Sequence, residues 1–244
     1  MDSSRLINKL QELIDEASYI VFFGGAGVSV ESGIPDFRSV DGLYNQKYKY
    51  NPETILSATF FYQNPKEFYR FYNDKMLCLD NLPNACHLYL AKKEQEGKLK
   101  AVITQNIDGL HQKAGSKKVY ELHGSIHRNT CLSCGKKFDG TYLKNSKSSI
   151  PLCDKCGGMI KPDVVLYEEG LDNFTVNESL YHLSKADLII IGGTSLTVYP
   201  AAGFLQYRNP NAKVVLLNKA IPSLQVNTDL SIYDEIGKVC SKLK

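Results

Sequence analysis

Nowhere in this chain of 244 residues does an apolar run approach the ~20 residues that a bilayer span requires. The longest aliphatic strings, at residues 19–23 and 188–191, stop far short. Residues 1–16 carry charges through their apolar stripe, where a signal peptide would keep an uninterrupted apolar core, so a cytoplasmic protein without membrane contact is expected. Charge of one sign is also scarce: a net charge of +3 is too small to imply a nucleic-acid ligand by itself. Internal repeats and low-complexity tracts are absent. The content of 43% apolar and 23% charged residues excludes disorder, collagen and coiled coil. No exposed apolar stripe stands out, and a monomer is expected. The 7 cysteines make an odd number, with two spaced pairs and Cys78, Cys86 and Cys240 standing alone. That pattern suits a reducing compartment and a metal site better than a disulfide framework.

What is present alternates. Leu6, Leu10, Leu13 and Ile14 fall on one helical face behind Ser3 and Ser4 as candidate caps, and the chain then enters a buried strand at residues 19–23. Further short β-branched runs follow at residues 101–104, 119–122, 187–191 and 213–217, with helical patterns around 85–96 and 201–206. Nearly all-apolar strands separated by helices predict an α/β fold with a doubly wound parallel sheet. Two stretches break the alternation. Residues 39–79 are rich in Tyr and Phe and punctuated by Pro52 and Pro65, and read as short helices and loops. Residues 126–160 are a Gly, Lys, Ser and Cys segment in which Arg128, Lys136, Lys137, Lys144, Lys147 and Lys155 outnumber Asp139 and Asp154. Each looks like an insertion, and together they predict a small second domain.

Several motifs carry chemistry. Gly24-Gly25-Ala26-Gly27 after the first strand permits close backbone approach to a phosphate, although a Gly-x-Gly alone is equally compatible with a bland tight turn. The third glycine of the dehydrogenase fingerprint is replaced by Val30, which disfavours a hydride-transfer enzyme. Cys131-x2-Cys134 and Cys153-x2-Cys156 have the spacing by which two knuckles converge four thiolates on one Zn²⁺, a closed shell with a structural role. Gln105, Asn106 and Asp108 sit at a predicted strand end and offer donors and acceptors suited to ribose hydroxyls or a carboxamide. His123 lies just past another strand end and can take a proton near neutral pH, though a lone histidine is more often a structural hydrogen-bonder. His87, His111, His127 and His182 keep that structural reading. A second turn, Gly192-Gly193-Thr194-Ser195, and Asn218 at the end of a further strand could hold the other half of a dinucleotide.

In this order and spacing, GAGVSVESGIPDFRS, TQNIDGLH, the following HG, the paired CxxC, KPDVVLYEE and GTSLTVYPAA resemble the sirtuin family of NAD-dependent protein lysine deacylases, in its compact bacterial form. The resemblance runs from Phe23 to about Ile236. It implies a Rossmann-like NAD-binding domain of residues 1–38, 80–125 and 161–244, with a small domain inserted from a helical module at 39–79 and a zinc-ribbon module at 126–160. Acyl-lysine peptide or protein substrates would enter the cleft between them. By motif position it implies that Ala26, Val30, Asp36, Phe37 and Arg38 belong to the cofactor loop. Gln105 and Asn106 would contact the nicotinamide ribose, and Ile107 and Asp108 the carboxamide. Gly193, Thr194, Ser195, Asn218, Lys219, Glu235 and Ile236 would line the adenosine half. In the implied chemistry the acyl oxygen attacks C1′ of the ribose as nicotinamide leaves, with Asn106 in the catalytic centre. His123 then acts as general base for a ribose hydroxyl, and the products are free lysine and O-acyl-ADP-ribose.

The substrate peptide would add a strand along residues 164–168, with Val165, Tyr167 and Glu168 beside it. Here the sequence departs from the family, because Glu168 stands where a glycine is frequent. Sirtuins that favour succinyl or malonyl lysine carry Tyr-x-x-Arg in the helical insertion, and the similar place here reads Tyr72-Asn73-Asp74-Lys75. Lysine lacks the planar fork of arginine, so acetyl and other neutral acyl groups are expected, with acidic acyl lysine as the alternative. Two further alternatives are ADP-ribosyl transfer to protein and a zinc-ribbon protein that contacts nucleic acid through its basic segment. The second has only Phe138 and Tyr142 for base stacking in that segment, so nucleic acid is disfavoured.

Overall fold

Side chains on the central strands point alternately to two apolar layers, as a strand period of two requires. The computed structural model describes residues 3–36, 49–222 and 226–244. Its larger sheet contains β1 (Ile20–Gly24), β2 (Leu99–Thr104), β3 (Val119–Glu121), β7 (Leu188–Gly192), β8 (Lys213–Asn218) and β9 (Leu230–Tyr233). They pair in parallel throughout, in the order β3-β2-β1-β7-β8-β9. This is the doubly wound order of dinucleotide-binding folds. Phe22, Ile190 and Val215 pack into one layer with Leu10 and Ile14 of α1 (Ser3–Glu16), Leu90 of α5 (Ala85–Gln95) and Val239 of α9 (Ile236–Cys240). Val21, Phe23, Ile189, Ile191 and Leu216 face the opposite layer with Leu183 of α8 (Asn173–Lys185) and Phe204 from the 3₁₀ turn Ala201–Tyr207. Ser3 and Ser4, expected as caps of α1, are already helical.

The smaller sheet is antiparallel, with β4 (Gly124–Cys131) between β5 (Lys137–Phe138) and β6 (Ile160–Val164). Beside it lie α7 (Gly140–Lys144) and three short helices: α2 (Pro52–Ile55), α3 (Ala58–Gln63) and α4 (Pro65–Phe71). The reading of residues 39–79 as short helices holds for 49–79, each start being marked by a capping side chain or proline. Asn51 accepts from Glu53 N, Ser57 from Phe60 N, and Pro52 and Pro65 take the first helical positions, where a missing N–H costs nothing. Phe61, Phe68 and Tyr69 from these helices and Tyr72 just after them share one core with Ile126, Leu143 and Ile160, so the two stretches outside the alternation meet. Four of the six basic side chains of the 126–160 stretch are paired with acids: Arg128 with Glu121 at 2.8 Å, Lys136 with Asp154 at 2.6 Å, Lys137 with Asp163 at 3.3 Å, and Lys144 with Asp80.

β9, α8 and α9 were not anticipated from the sequence. β9 is a four-residue edge strand in which only Leu230 and Ile232 are buried, so it lacks the continuous apolar run of its neighbours. In α8 the helical pattern is blurred, because Phe174 and Tyr181 are exposed while Ser179 and His182 are buried. Among the described residues no helix is long and apolar enough to cross a membrane.

Candidate active site

The parallel sheet reverses its winding between β1 and β7, and at their carboxyl ends Gly24 lies opposite Gly192. Ligands of doubly wound folds bind at such a switch point. The two glycine turns that follow are pressed together. Gly27 N donates to Gly193 O at 2.8 Å, and a Cβ on Gly27 would meet the Gly193 backbone at 2.8 Å. No larger residue fits at this approach, which glycine alone permits. Ala26 lies in the first turn, and Val30, 40% exposed, begins the next.

Polar side chains converge around these turns. Ser29, fully buried, donates to Asp108 Oδ2 at 2.6 Å and accepts from Asn106 Nδ2 at 3.1 Å. Asp108 Oδ1 accepts from Leu110 N at 2.9 Å, and its carbonyl accepts from His127 Nε2 at 2.9 Å. Ile107 packs against the core of the smaller sheet and its carbonyl takes Ile126 N at 3.0 Å. On the far side of the switch point, Asn218 holds Thr194 twice: Oδ1 accepts from Thr194 N at 3.0 Å and Nδ2 donates to Thr194 O at 2.8 Å. Gln105 Nε2 donates to Thr194 Oγ1 at 3.2 Å and so joins the two groups. Ser195 pairs with Thr197 at 2.8 Å, and Lys219 with Glu235 at 3.6 Å on the surface. Ile236 is buried beneath Gly192, where an added Cβ would meet its Cδ1 at 2.4 Å.

His123 stands between β3 and β4. Its Nδ1 lies 3.0 Å from the Gln105 carbonyl, an acceptor only, so Nδ1 carries the proton and Nε2 is left as the basic atom. Burial lowers its pKa below the ordinary histidine value and so favours the neutral ring, while the bond to Gln105 offsets part of that. The next residue must be glycine: Gly124 has φ +77°, and a Cβ there would meet Asp163 O at 2.0 Å. The carbonyl of His123 accepts from Val165 N at 2.9 Å.

From there residues 164–168 run along the helical segment, with Tyr167 N donating to Leu56 O and Ala58 N donating to Tyr167 O, each at 3.0 Å. Glu168 adopts φ +77°, and its carboxylate accepts from Thr59 N at 2.9 Å and Thr59 Oγ1 at 2.7 Å. The side chain at the family's glycine position is thus drawn to the start of α3. Tyr72 is fully buried and stacks on Phe68 at 5.6 Å, and among the described residues its hydroxyl has no hydrogen-bond partner. Lys75, on the same wide π-type turn, pairs with Asp74 at 3.1 Å. Asp36 is half-buried at the end of the first described stretch, whereas Phe37 and Arg38 lie outside the described residues.

The four thiols of Cys131, Cys134, Cys153 and Cys156 lie within 4.8 Å of one another. Cys131 and Cys156 are 3.5 Å apart and Cys134 and Cys153 3.7 Å, close to the ~3.8 Å edge of a tetrahedron with ~2.3 Å Zn–S bonds. The residues therefore fit zinc, and a shell of four thiolates leaves no position for substrate. The glycine turns and the amide and carboxylate groups around them fit a dinucleotide.

Sequence reasoning missed Ser29, Glu31, Asn84 and Thr59. Asn84 caps α5 by accepting from Cys86 N, and its Nδ2 donates to Val28 O at 2.7 Å and Ser32 Oγ at 3.0 Å. Its place just before a helical pattern is the one signal that could have found it. His87 and His182 make the hydrogen bonds expected of structural histidines, to Asn84 N and to Tyr19 and Tyr120. His111 does not: among the described residues neither of its buried ring nitrogens has a partner.

These features define an α/β dinucleotide-binding protein that carries a four-thiolate structural metal site. The Sir2 family profile matches residues 25–200. The chain is 58% identical over 235 residues to the NAD-dependent protein deacetylase of Clostridium acetobutylicum, covering 96% of each chain. It is 53% identical over 239 residues to that of Clostridium perfringens, covering 97% of this chain and 98% of the relative. This chain belongs to the Sir2 family. Among solved structures, Sir2 with a p53 peptide and NAD+ matches with a TM-score of 0.85 at 37% identity, over 97% of this chain and 96% of that one. Sir2 bound to acetylated peptide matches with a TM-score of 0.85 at 35% identity, with the same coverage.

Proposed function

We propose that this protein is an NAD-dependent protein lysine deacetylase in which His123 is the general base. The observation that carries the assignment of the base is the 3.0 Å bond from His123 Nδ1 to the Gln105 carbonyl, beside the polar cluster at the switch point. NAD supplies the electrophilic ribose carbon and nicotinamide as the leaving group. Asn106 and Asp108, fixed by Ser29, orient the nicotinamide end and its carboxamide, with Ile107 walling that end from water. Gln105 would contact the ribose, and Nε2 of His123, left unprotonated by the bond at Nδ1, would hold the proton taken from a ribose hydroxyl. Ala26, Val30, Asp36, Phe37 and Arg38 form the cofactor loop. Gly193, Thr194, Ser195, Asn218, Lys219, Glu235 and Ile236 bind the adenosine half. Zinc on Cys131, Cys134, Cys153 and Cys156 holds the ribbon and takes no part in bond making.

The same reading divides the chain into an NAD-binding domain of residues 1–38, 80–125 and 161–244 and a small domain of 39–79 and 126–160. The apolar core that the two shorter stretches share supports this division. An acyl-lysine peptide enters between them as an added strand beside Val165, Tyr167 and Glu168, held through main-chain bonds that tolerate varied sequences. A neutral acyl group is favoured. Tyr72 sits in apolar surroundings that push its phenol well above the usual value, and Lys75 already faces Asp74. On this reading the protein acts as a monomer in the cytoplasm, and its unlinked cysteines suit a reducing compartment.

The test incubates purified protein with NAD and matched acetyl-lysine and succinyl-lysine peptides, followed by mass spectrometry. NAD-dependent deacetylation with O-acetyl-ADP-ribose as co-product is expected. Preferential succinyl turnover would reassign Tyr72 and Lys75 as carboxylate ligands, and protein-linked ADP-ribose without deacylation would overturn the assignment.

A further inference from the structure

Residues 26–33 form the root of the proposed cofactor loop, and side chains fasten them on two sides. Toward α5 and β2, Asn84 Nδ2 donates to Val28 O, Asn81 Nδ2 donates to Ser32 O at 2.8 Å, and Ser29 holds Asp108. Toward the opposite half of the sheet runs Glu31. Its Oε2 accepts from Gly237 N at 2.5 Å and its Oε1 from Lys238 N at 3.1 Å, across more than 200 positions of sequence. The carboxylate closes off the first two N–H groups after Ile236 in α9, which would otherwise lack an acceptor. Glu31 is exposed, so it contributes little to the core, and the contact demands a particular partner. A Cβ on Gly237 would meet Glu31 Oε1 at 2.8 Å and Oε2 at 2.9 Å.

The clasp therefore joins the loop root to the start of α9, a helix that also packs with α5 and Val28 in one apolar layer. One end is the turn that leads from Ala26 and Ser29 toward Asp36. The other is the segment of Glu235 and Ile236, proposed above at the adenosine end. We propose that Glu31 is a positioning residue for NAD: its bonds to Gly237 and Lys238 fix the distance between the nicotinamide-side loop root and the adenosine-side helix. The dinucleotide must touch both ends at once, so an unclasped crevice has to be ordered at the moment of binding and loses affinity. The peptide path proposed above runs along residues 164–168, whereas the clasp is made by Glu31, Gly237 and Lys238. This inference rests on the NAD-binding reading of the crevice.

The test uses the zinc-loaded full chain and reads binding of ADP-ribose by calorimetry beside steady-state kinetics. Glu31→Ala is expected to weaken ADP-ribose and raise KM for NAD by roughly tenfold, the scale of one lost cap, with kcat and peptide KM within about twofold. Glu31→Gln, which retains an acceptor oxygen, should recover most of that loss. Gly237→Ala approaches from the other side. It raises helix propensity, so melting temperature should hold or rise, yet it displaces the carboxylate and should weaken ADP-ribose as Glu31→Ala does. In the Glu31→Ala background the same Gly237→Ala change should cost nothing further, because the clash is gone. Unchanged ADP-ribose affinity in Glu31→Ala would overturn the proposal. So would losses spread equally over kcat, peptide KM and melting temperature, which would mark a general structural role. Wild-type protein that binds no ADP-ribose would instead overturn the NAD reading itself, and the inference with it.

Discussion

The two sheets of this molecule are stabilised by different means. The six-stranded sheet is covered on both faces by apolar layers drawn from helices far apart in the chain, and its residues need no metal to stay together. The three-stranded sheet has strands of 8, 2 and 5 residues, and its outer end is closed by four cysteines, two of them exposed. The core it shares with the short helices reaches Cys131 and Cys153 but leaves Cys134 and Cys156 exposed, so burial alone does not hold the tips of the two knuckles. The difference teaches a division of labour. The proposed chemistry is mounted on the sheet that burial stabilises, and the four-cysteine metal site serves architecture at the other.

The sharpest break of this contrast is at His123. Replacing it with alanine should lower kcat by roughly 10²- to 10⁴-fold, while zinc content and far-UV circular dichroism stay as in the parent. Loss of zinc in that variant would show that the catalytic side and the ribbon are not separable. Because burial lowers the pKa of His123, the acid limb of kcat/KM should also fall below the ordinary ~6.5 of histidine.

Metal removal comes next. Cys131→Ser, or treatment with a strong zinc chelator, should unfold the ribbon and its helical neighbours, seen as new proteolytic cuts within residues 126–160 and a lowered melting temperature. The parallel sheet should keep its amide-exchange protection. A metal-free chain with an intact ribbon would contradict the contrast directly.

The smallest effect distinguishes the sheet side by pH. His87 is buried against His111, with ring centroids 4.7 Å apart; burial pushes its pKa down to about 4 from 6.5, against an upward pull from Asp108. The folded state therefore binds fewer protons than the unfolded one between those values. The stability this group contributes is fully present above about pH 6.5 and is lost as pH falls toward about 4. Urea midpoints measured across that window should decline less steeply in His87→Leu than in the parent, even though the variant starts lower. Equal slopes would show that this pair does not set the acid sensitivity.

Much of the fold was legible because the central strands are continuous β-branched runs, and the metal site because CxxC spacing is a local property. β9 was hidden because an edge strand needs only Leu230 and Ile232 on its inner face, and α8 because Phe174 and Tyr181 sit on its outer one. The site was legible one motif at a time. Its couplings were not, since Ser29 meets Asp108 79 positions away and Gln105 meets Thr194 89 positions away. Glu168 shows the limit most plainly: the sequence marks a carboxylate in place of a glycine, and only the fold reveals Thr59 as the group that receives it.

The chain leaves the parallel sheet through His123 and Gly124 and comes back through Val164 and Val165, and the two crossings are stitched by the bond from Val165 N to the His123 carbonyl. The proposed general base thus stands on the neck between the two sheets, tied to the parallel sheet through its ring and the Gln105 carbonyl, and to the returning strand through its own carbonyl.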